Sequence, residues 1–458
     1  MNVRAALKFS VVALLAALVP RGTVSASTSQ VAGLKPAPQP VARPKLGSAA
    51  RAFPDSRARI LVFTDQLPGQ MSEAQWKFAA THYVGTQKEA TSWTRRMRTL
   101  NPAFLVLHYQ LAVGNGPAPF RVGETWTNDF PMVTKHEGWF MHDAQGHRLH
   151  QKDWDWYVMD IRFRNGKPIN AYPAYWVQSA LDRMRINEDD GCFADSYTQD
   201  ILMGQLQPAS PLFSQADLNA RDWLPNLNQF GAYCAAAFHR QPERFYYLPN
   251  LGGLVTSWDH VTNLLVGDGG MNEGFCASGP GNYFSDADWK LAMSRLLLLA
   301  SHGKIILCQT GVDPANADYR WFLIGAFLLT KGPHSYLNMI HHSSLEWYPE
   351  YTLDLGRYKQ APQPDIQQYW DAAWGVYRRD YDRGIVLVNP SALPVSIPKL
   401  GASMTLISAE GGGAVPEGGR QPGSLSSHVV TSVTVPAHSA RVLLSLAPNH
   451  SRSRSGRR

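Results

Sequence analysis

The chain has 458 residues, 44% of them hydrophobic and 11% aromatic, enough for one large globular core with a smaller companion domain. Its formal charge of +7 lies at the ends: residues 1–58 carry a net +7 and the tail after Pro448 a net +4, which leaves the body between them at −4. A mildly acidic body is a poor nucleic-acid binder and fits a neutral substrate, with the basic ends as solvated tails.

In chain order, Arg4 and Lys8 precede an apolar run from Val11 to Val19 and then Val24-Ser25-Ala26, the order of an export signal with a small-residue cleavage site. Residues 1–26 are therefore expected to direct export to the periplasm or beyond. A retained anchor is the alternative, but the run is shorter than the roughly 20 residues of a bilayer span. Residues 27–57, rich in Pro, Ala, Ser and Lys/Arg, read as a flexible linker.

Apolar runs of strand type follow at 59–63, 81–84, 103–109, 191–195, 244–248, 268–273, 304–309 and 335–340. Helical patterns fall between them, around 73–80 and at 171–185, 227–239, 286–301 and 319–329. Eight strands alternating with helices predict an α/β fold, a (β/α)₈ TIM barrel over residues 58–366. The runner-up, an open doubly wound sheet, would in its nucleotide-binding forms carry a Gly-rich loop after the first strand, where this chain reads Thr64-Asp65-Gln66. The long connection after the third strand holds Trp126, Trp139, Trp154 and Trp156, and residues 139–151 read as a hairpin forming a wall of the cleft. From about Tyr369 strand patterns succeed one another without helices, which predicts a small antiparallel β-sandwich over 367–447, before a disordered basic tail at 448–458.

Two segments share one plan. Asp190-Gly191-Cys192-Phe193-Ala194-Asp195 and Asp268-Gly269-Gly270-Met271-Asn272-Glu273 both read Asp-Gly, three residues, carboxylate. As parallel strands they place Asp195 and Glu273 near the C-terminal rim, where barrel active sites are built, and leave Asp190 and Asp268 as turn residues below. Glycosidic cleavage needs such a pair: one carboxylate to attack or activate water, one to protonate the leaving oxygen. The shorter Asp195 suits the nucleophile and Glu273 the acid/base. The bland alternatives are a helix cap for Asp195 and an arginine partner for Glu273.

Other strand ends offer Asp65, His108, Tyr109, Asn250, Asn272, Gln309 and Asn338 as sugar-binding groups, with Asp160 from the long connection. His108 is equally a core histidine, and Asp160 a cap or a partner for Arg162 or Arg164. Trp154 and Trp156 either stack on sugar or bury one face of a hairpin. Cys192, Cys234, Cys276 and Cys308 form no CxxC or zinc spacing, and His341-His342 in a strand point to opposite faces, so neither metal nor cofactor is expected. There is no Gly-x-Ser-x-Gly, His-Glu-x-x-His, Walker or Rossmann motif.

The two Asp-Gly segments, together with Trp156-Tyr157-Val158-Met159-Asp160-Ile161-Arg162 before them, resemble the hypothetical glycoside hydrolase-like family fifteen. That group is similar to α-galactosidase-like barrels and endo-α-polygalactosaminidase-like proteins. The resemblance implies a (β/α)₈ domain with the nucleophile on the fourth strand and the acid/base on the sixth, matching Asp195 and Glu273, and a carbohydrate substrate. The segment TVPAHSARVLL, residues 434–444, is similar to the closing strands of β-domains that follow such barrels. The reading from residues and resemblance together is an exported glycoside hydrolase of oligo- or polysaccharide, retaining if Asp195 is the nucleophile. The alternatives are a non-catalytic carbohydrate-binding protein on the same scaffold and a metal-dependent barrel hydrolase.

Overall fold

The computed structural model describes residues 49–117, 129–143, 145–151, 155–197, 206–207, 223–255, 264–341 and 344–446. The expected export signal, most of the linker, the basic tail, Trp126, Trp154 and His342 lie outside these residues.

Eight parallel strands form the main sheet: β1 (Val62–Phe63), β2 (Tyr83–Gln87), β3 (Leu105–Leu111), β4 (Gly191–Asp195), β5 (Tyr246–Pro249), β6 (Gly269–Glu273), β7 (Ile305–Gly311) and β8 (Ser335–Ile340). Each pairs with its successor, β8 pairs back to β1, and the β5–β6 seam is held by a parallel bridge between Asn250 and Met271. Leu251 N–H donates to the Met271 carbonyl at 2.8 Å across that seam. The sheet is thus a closed TIM-like barrel, with strands in chain order.

The six longer described helices lie outside it: α1 (Glu73–His82), α2 (Thr91–Leu100), α3 (Tyr172–Asn187), α4 (Leu224–His239), α5 (Asp286–Ser301) and α6 (Ala317–Thr330). Their starts are written locally. Ser72 and Gln75 form a reciprocal capping box at α1, Ser285 caps α5 through Asp288 N–H, and Asn316 caps α6 through Tyr319 N–H.

The repeated Asp-Gly has a structural reason. The Asp190 carboxylate takes the Val106 N–H at 3.0 Å and that of Asp268 takes the Tyr247 N–H at 2.8 Å, so each aspartate satisfies a backbone donor of the preceding strand. Arg51 and Arg98 neutralise Asp190. Each glycine admits a neighbouring strand: a Cβ on Gly269, at φ 155°, would fall 1.8 Å from the Ile305 carbonyl oxygen, and one on Gly191 would fall 2.6 Å from Tyr246.

Alternation along the strands sorts the side chains. Phe63, Leu105, Leu107, Phe193, Leu248, Met271, Ile305, Leu307 and Tyr336 fill the barrel, while Val62, Val106, Cys192, Tyr247, Ile306, Cys308 and Leu337 face the helices. All four cysteines are buried and free. The base is plugged by Phe53, whose ring meets Phe63, Tyr246 and Tyr336, and the Tyr336 hydroxyl donates to the Pro54 carbonyl at 2.5 Å. Residues 49–57, assigned to the linker from sequence, are therefore part of the barrel floor.

After β8 comes an antiparallel sheet of six strands in the order β9 (Trp370–Asp371), β10 (Val376–Tyr381), β11 (Gly384–Asn389), β14 (Ser439–Ser445), β12 (Met404–Glu410) and β13 (Ser424–Val430). The antiparallel strands expected here are present, and the two faces of the sheet are unlike. One face of this sheet packs on α6, and the other encloses a small apolar core with only a two-stranded pair, Val395–Ile397 and Val433–Val435. Helix α6 is apolar on every side from Trp321 to Leu329, and each residue from Tyr319 to Thr330 is buried, so the sheet supplies the cover its outer surface needs.

Two contacts fasten sheet to helix. Gly325 lets β14 approach so closely that a Cβ there would lie 2.3 Å from that of Ala440. Gly325→Val should therefore lower stability by about 1–3 kcal/mol, read as a fall in thermal midpoint; an unchanged midpoint would refute the close packing. Arg379 on β10 is wholly buried and donates to the carbonyls of Leu328, Leu329 and Lys331 at 3.0, 2.9 and 2.9 Å, and to Gln360 at 3.1 Å. It caps the C-terminal end of α6, where carbonyls lack partners within the helix.

Candidate active site

At the C-terminal rim the barrel interior turns polar. Asp195 ends β4, Glu273 ends β6, and Asn250 follows β5 between them. One nitrogen joins the pair: Asn250 Nδ2 donates to Asp195 Oδ1 at 2.8 Å and to Glu273 Oε2 at 2.7 Å. Those two oxygens are therefore at most about 5.5 Å apart, closer than the ~6.5–9.5 Å that separates the carboxyl groups of inverting pairs. The Tyr109 hydroxyl donates to Asp195 Oδ2 at 2.6 Å, so both oxygens of Asp195 are held.

Burial, and then the negative charge of Asp195, push the Glu273 carboxyl up from 4.5 to about 7, against the Asn250 hydrogen bond and the positive charge of Lys88. Glu273 therefore keeps its proton up to near neutrality. Burial and Asp195 likewise push the Tyr109 phenol well above its ordinary range, so it remains a donor.

The Glu273 shift carries a stability consequence. Between 4.5 and about 7 the folded protein binds a proton that the unfolded chain has lost, so this stabilising difference is lost as pH rises through that window. Glu273→Gln should then be more stable than wild type at pH 8, by about 1–2 kcal/mol, and equal to it at pH 4. Paired urea unfolding curves measure this, and an equal difference at both pH values would remove the buried-acid account.

Asp65, just past β1, accepts Lys88 Nζ at 2.8 and 2.9 Å and the Gln87 amide. Gln309 is the register neighbour of Glu273 on β7, and Asn338 that of Gln309 on β8, with Asn338 Nδ2 donating to Gln309 Oε1 at 3.3 Å. Asp65, Tyr109, Asn250, Gln309 and Asn338 thus share the inner face with the two carboxylates.

The remaining sequence candidates lie elsewhere. His108 and Asn272 have the opposite strand parity to Tyr109 and Glu273 and face the helices. His108 is buried with Nε2 on Gln110 at 3.2 Å, and Asn272 donates to the Gly252 carbonyl at 2.6 Å. Asp160 is buried and held by Arg162 at two points, both 2.8 Å, which realises the salt-bridge alternative. Trp156 is buried with its ring against Gly114, where a Cβ would lie 2.3 Å away, so it packs the wall rather than facing the cleft. That wall includes the expected turn: His142 and Arg148 pair across it, and Gly146 N–H donates to the Asp143 carbonyl at 3.2 Å.

Sequence reasoning missed Lys88. With β2 expected to end at 84, Gln87-Lys88-Glu89 reads as a charged loop; extending the strand by its own alternation would have turned Lys88 inward.

Comparison with protein families matches residues 98–385 to a model described as hypothetical glycosyl hydrolase family 15. The chain belongs to this family. The family 15 match includes Asp195, Asn250 and Glu273 and reaches β11 of the C-terminal sheet. Among solved structures, the glycoside hydrolase domain of PelA from Pseudomonas aeruginosa is 15% identical, covering 61% of this chain and 94% of its own, at a TM-score of 0.38. A GH30 endoxylanase from Clostridium papyrosolvens C71 is 10% identical, covering 87% of this chain and all of its own, at 0.37. No curated protein matches.

Proposed function

We propose that this member of hypothetical glycosyl hydrolase family 15 is an exported glycoside hydrolase that cleaves oligo- or polysaccharide with retention, Asp195 serving as nucleophile and Glu273 as acid/base. The observation that carries this reading is the single Asn250 amide shared by a carboxylate with both oxygens held and a carboxyl that stays protonated near neutrality. Two like groups placed in unlike environments divide the labour of acid and nucleophile.

In the first step an Asp195 oxygen bonds to the anomeric carbon as the bond to the leaving oxygen breaks, and the Glu273 proton passes to that oxygen. In the second, Glu273 takes a proton from water, the water oxygen bonds to the anomeric carbon, and the Asp195 ester is released as carboxylate. Asn250 holds the two groups at a fixed separation throughout. Gln309 and Asn338, beside Glu273, would bond sugar hydroxyls.

The test is hydrolysis of a panel of bacterial and plant polysaccharides and aryl glycosides, with the first-formed anomer followed by NMR. Retention supports the assignment, and inversion would replace Asp195 as nucleophile by Asp195 as base. No cleavage, combined with retardation on an immobilised glycan, would transfer the reading to a binding protein.

A further inference from the structure

Lys88 is the unassigned group at this site, and it is held firmly. Both oxygens of Asp65 accept its ammonium, at 2.8 and 2.9 Å, and the nitrogen lies 5.1 Å from the Tyr109 ring centroid and 5.8 Å from that of Phe193. Its backbone has φ 64°, a left-handed conformation that costs a lysine about 1 kcal/mol and persists where the surroundings impose it. The Tyr109 side chain that carries this cation on its face donates its hydroxyl to Asp195, and Phe193 precedes Asp195 by two residues on the same inner face. Lys88 thus bridges from the β1 rim to the strand that bears the nucleophile.

We propose that Lys88 is the positioning cation of the carboxylate pair: clamped by Asp65 and seated on Tyr109, it offsets the negative charge of Asp195 and sets the pH at which Glu273 gives up its proton. This rests on the reading of Glu273 as the acid/base. Lys88 touches Asp65 beyond β1 and the Tyr109 ring on β3, and the charges of Asp195 on β4 and Glu273 on β6 act on it. Burial alone would favour loss of its proton, but Asp65, then Asp195, with Glu273, outweigh burial and raise its affinity for it. It therefore remains a cation. Seen from Glu273, the two members of the clamp act in opposite senses: Lys88 favours the ionised carboxylate and Asp65 opposes it.

That opposition supplies the test. The Glu273 titration is followed by carbon-13 NMR of the full protein labelled at glutamate carboxyls, with Glu273→Gln identifying the resonance, alongside the basic limb of the pH–rate profile. Lys88→Met should move the Glu273 midpoint upward by roughly one pH unit, Asp65→Asn should move it downward, and Lys88→Arg should return it towards wild type. A midpoint unmoved in Lys88→Met, or moved in the same direction by both charge-removing variants, would overturn the proposal, since general loosening of the site has no reason to change sign. The NMR titration needs no substrate. If it moves as expected while wild type hydrolyses nothing, the charge role of Lys88 stands and the glycosidase reading falls.

Discussion

Asp195→Asn should fold as wild type does and lose hydrolysis by ~10³-fold or more. The amide keeps the shape of the carboxylate, and its oxygen still accepts from Asn250, while the Tyr109 hydroxyl turns to accept from the new amide nitrogen. What disappears is the negative oxygen that bonds to the anomeric carbon. Glu273→Gln should behave differently with substrate. On a sugar leaving group it should lose about 10²–10⁴-fold, the usual contribution of a general acid. On nitrophenyl glycosides, whose leaving group departs without a proton, the first step should be largely preserved. Steady-state and single-turnover rates for both variants on both substrate types check this division. Equal losses on both substrates in the two variants would refute the separate roles.

Arg379→Met should cost about 3–5 kcal/mol of folding stability, measured as a shift of the urea midpoint at unchanged slope. The guanidinium satisfies four backbone carbonyls, three of them at or just past the end of α6, and lies 4.1 Å from the Tyr358 ring centroid and 5.1 Å from that of Tyr369. A methionine fills the space but takes the Arg379 donors away from these carbonyls, of which that of Leu328 keeps the Tyr381 hydroxyl at 2.6 Å. Lys331 is a poor substitute: burial, and then the nearby charge of Arg379, push its ammonium down to about 7, and its own hydrogen bond goes to the Arg59 carbonyl at 2.8 Å. A midpoint within experimental error of wild type would show that the carbonyls find other partners.

Much of the barrel was legible because its strands are short apolar runs punctuated by helices, and the Asp-Gly repeat marked the two strands that matter. Gly191–Asp195 and Ser335–Ile340 fall at the expected residues, and helix Asp286–Ser301 likewise. Helix α2 was not foreseen, since TSWTRRMRTL is polar on most of its surface and owes its place to a few contacts of Thr94, Met97 and Arg98. Within the site, naming neighbours such as His108 with Tyr109, or Asn272 with Glu273, ignored the alternation that lets only one of two adjacent strand residues face the cleft. The layering of the C-terminal sheet was not legible either. Strand patterns show that a sheet forms and that one face is apolar, but not that the surface meeting it is a helix that ends 40 residues before the sheet begins.

The burial of α6 under that sheet also orders events on the ribosome. The helix is complete at Thr330, yet β14, the strand packed against Gly325, ends at Ser445. At synthesis rates of ~5–20 residues per second, the stretch between them takes roughly 6–20 s to emerge. For that interval the outer face of α6 lacks its β14 cover and is a target for chaperones and for association between nascent chains. The last strand to leave the tunnel is thus the one that ends the barrel's exposure.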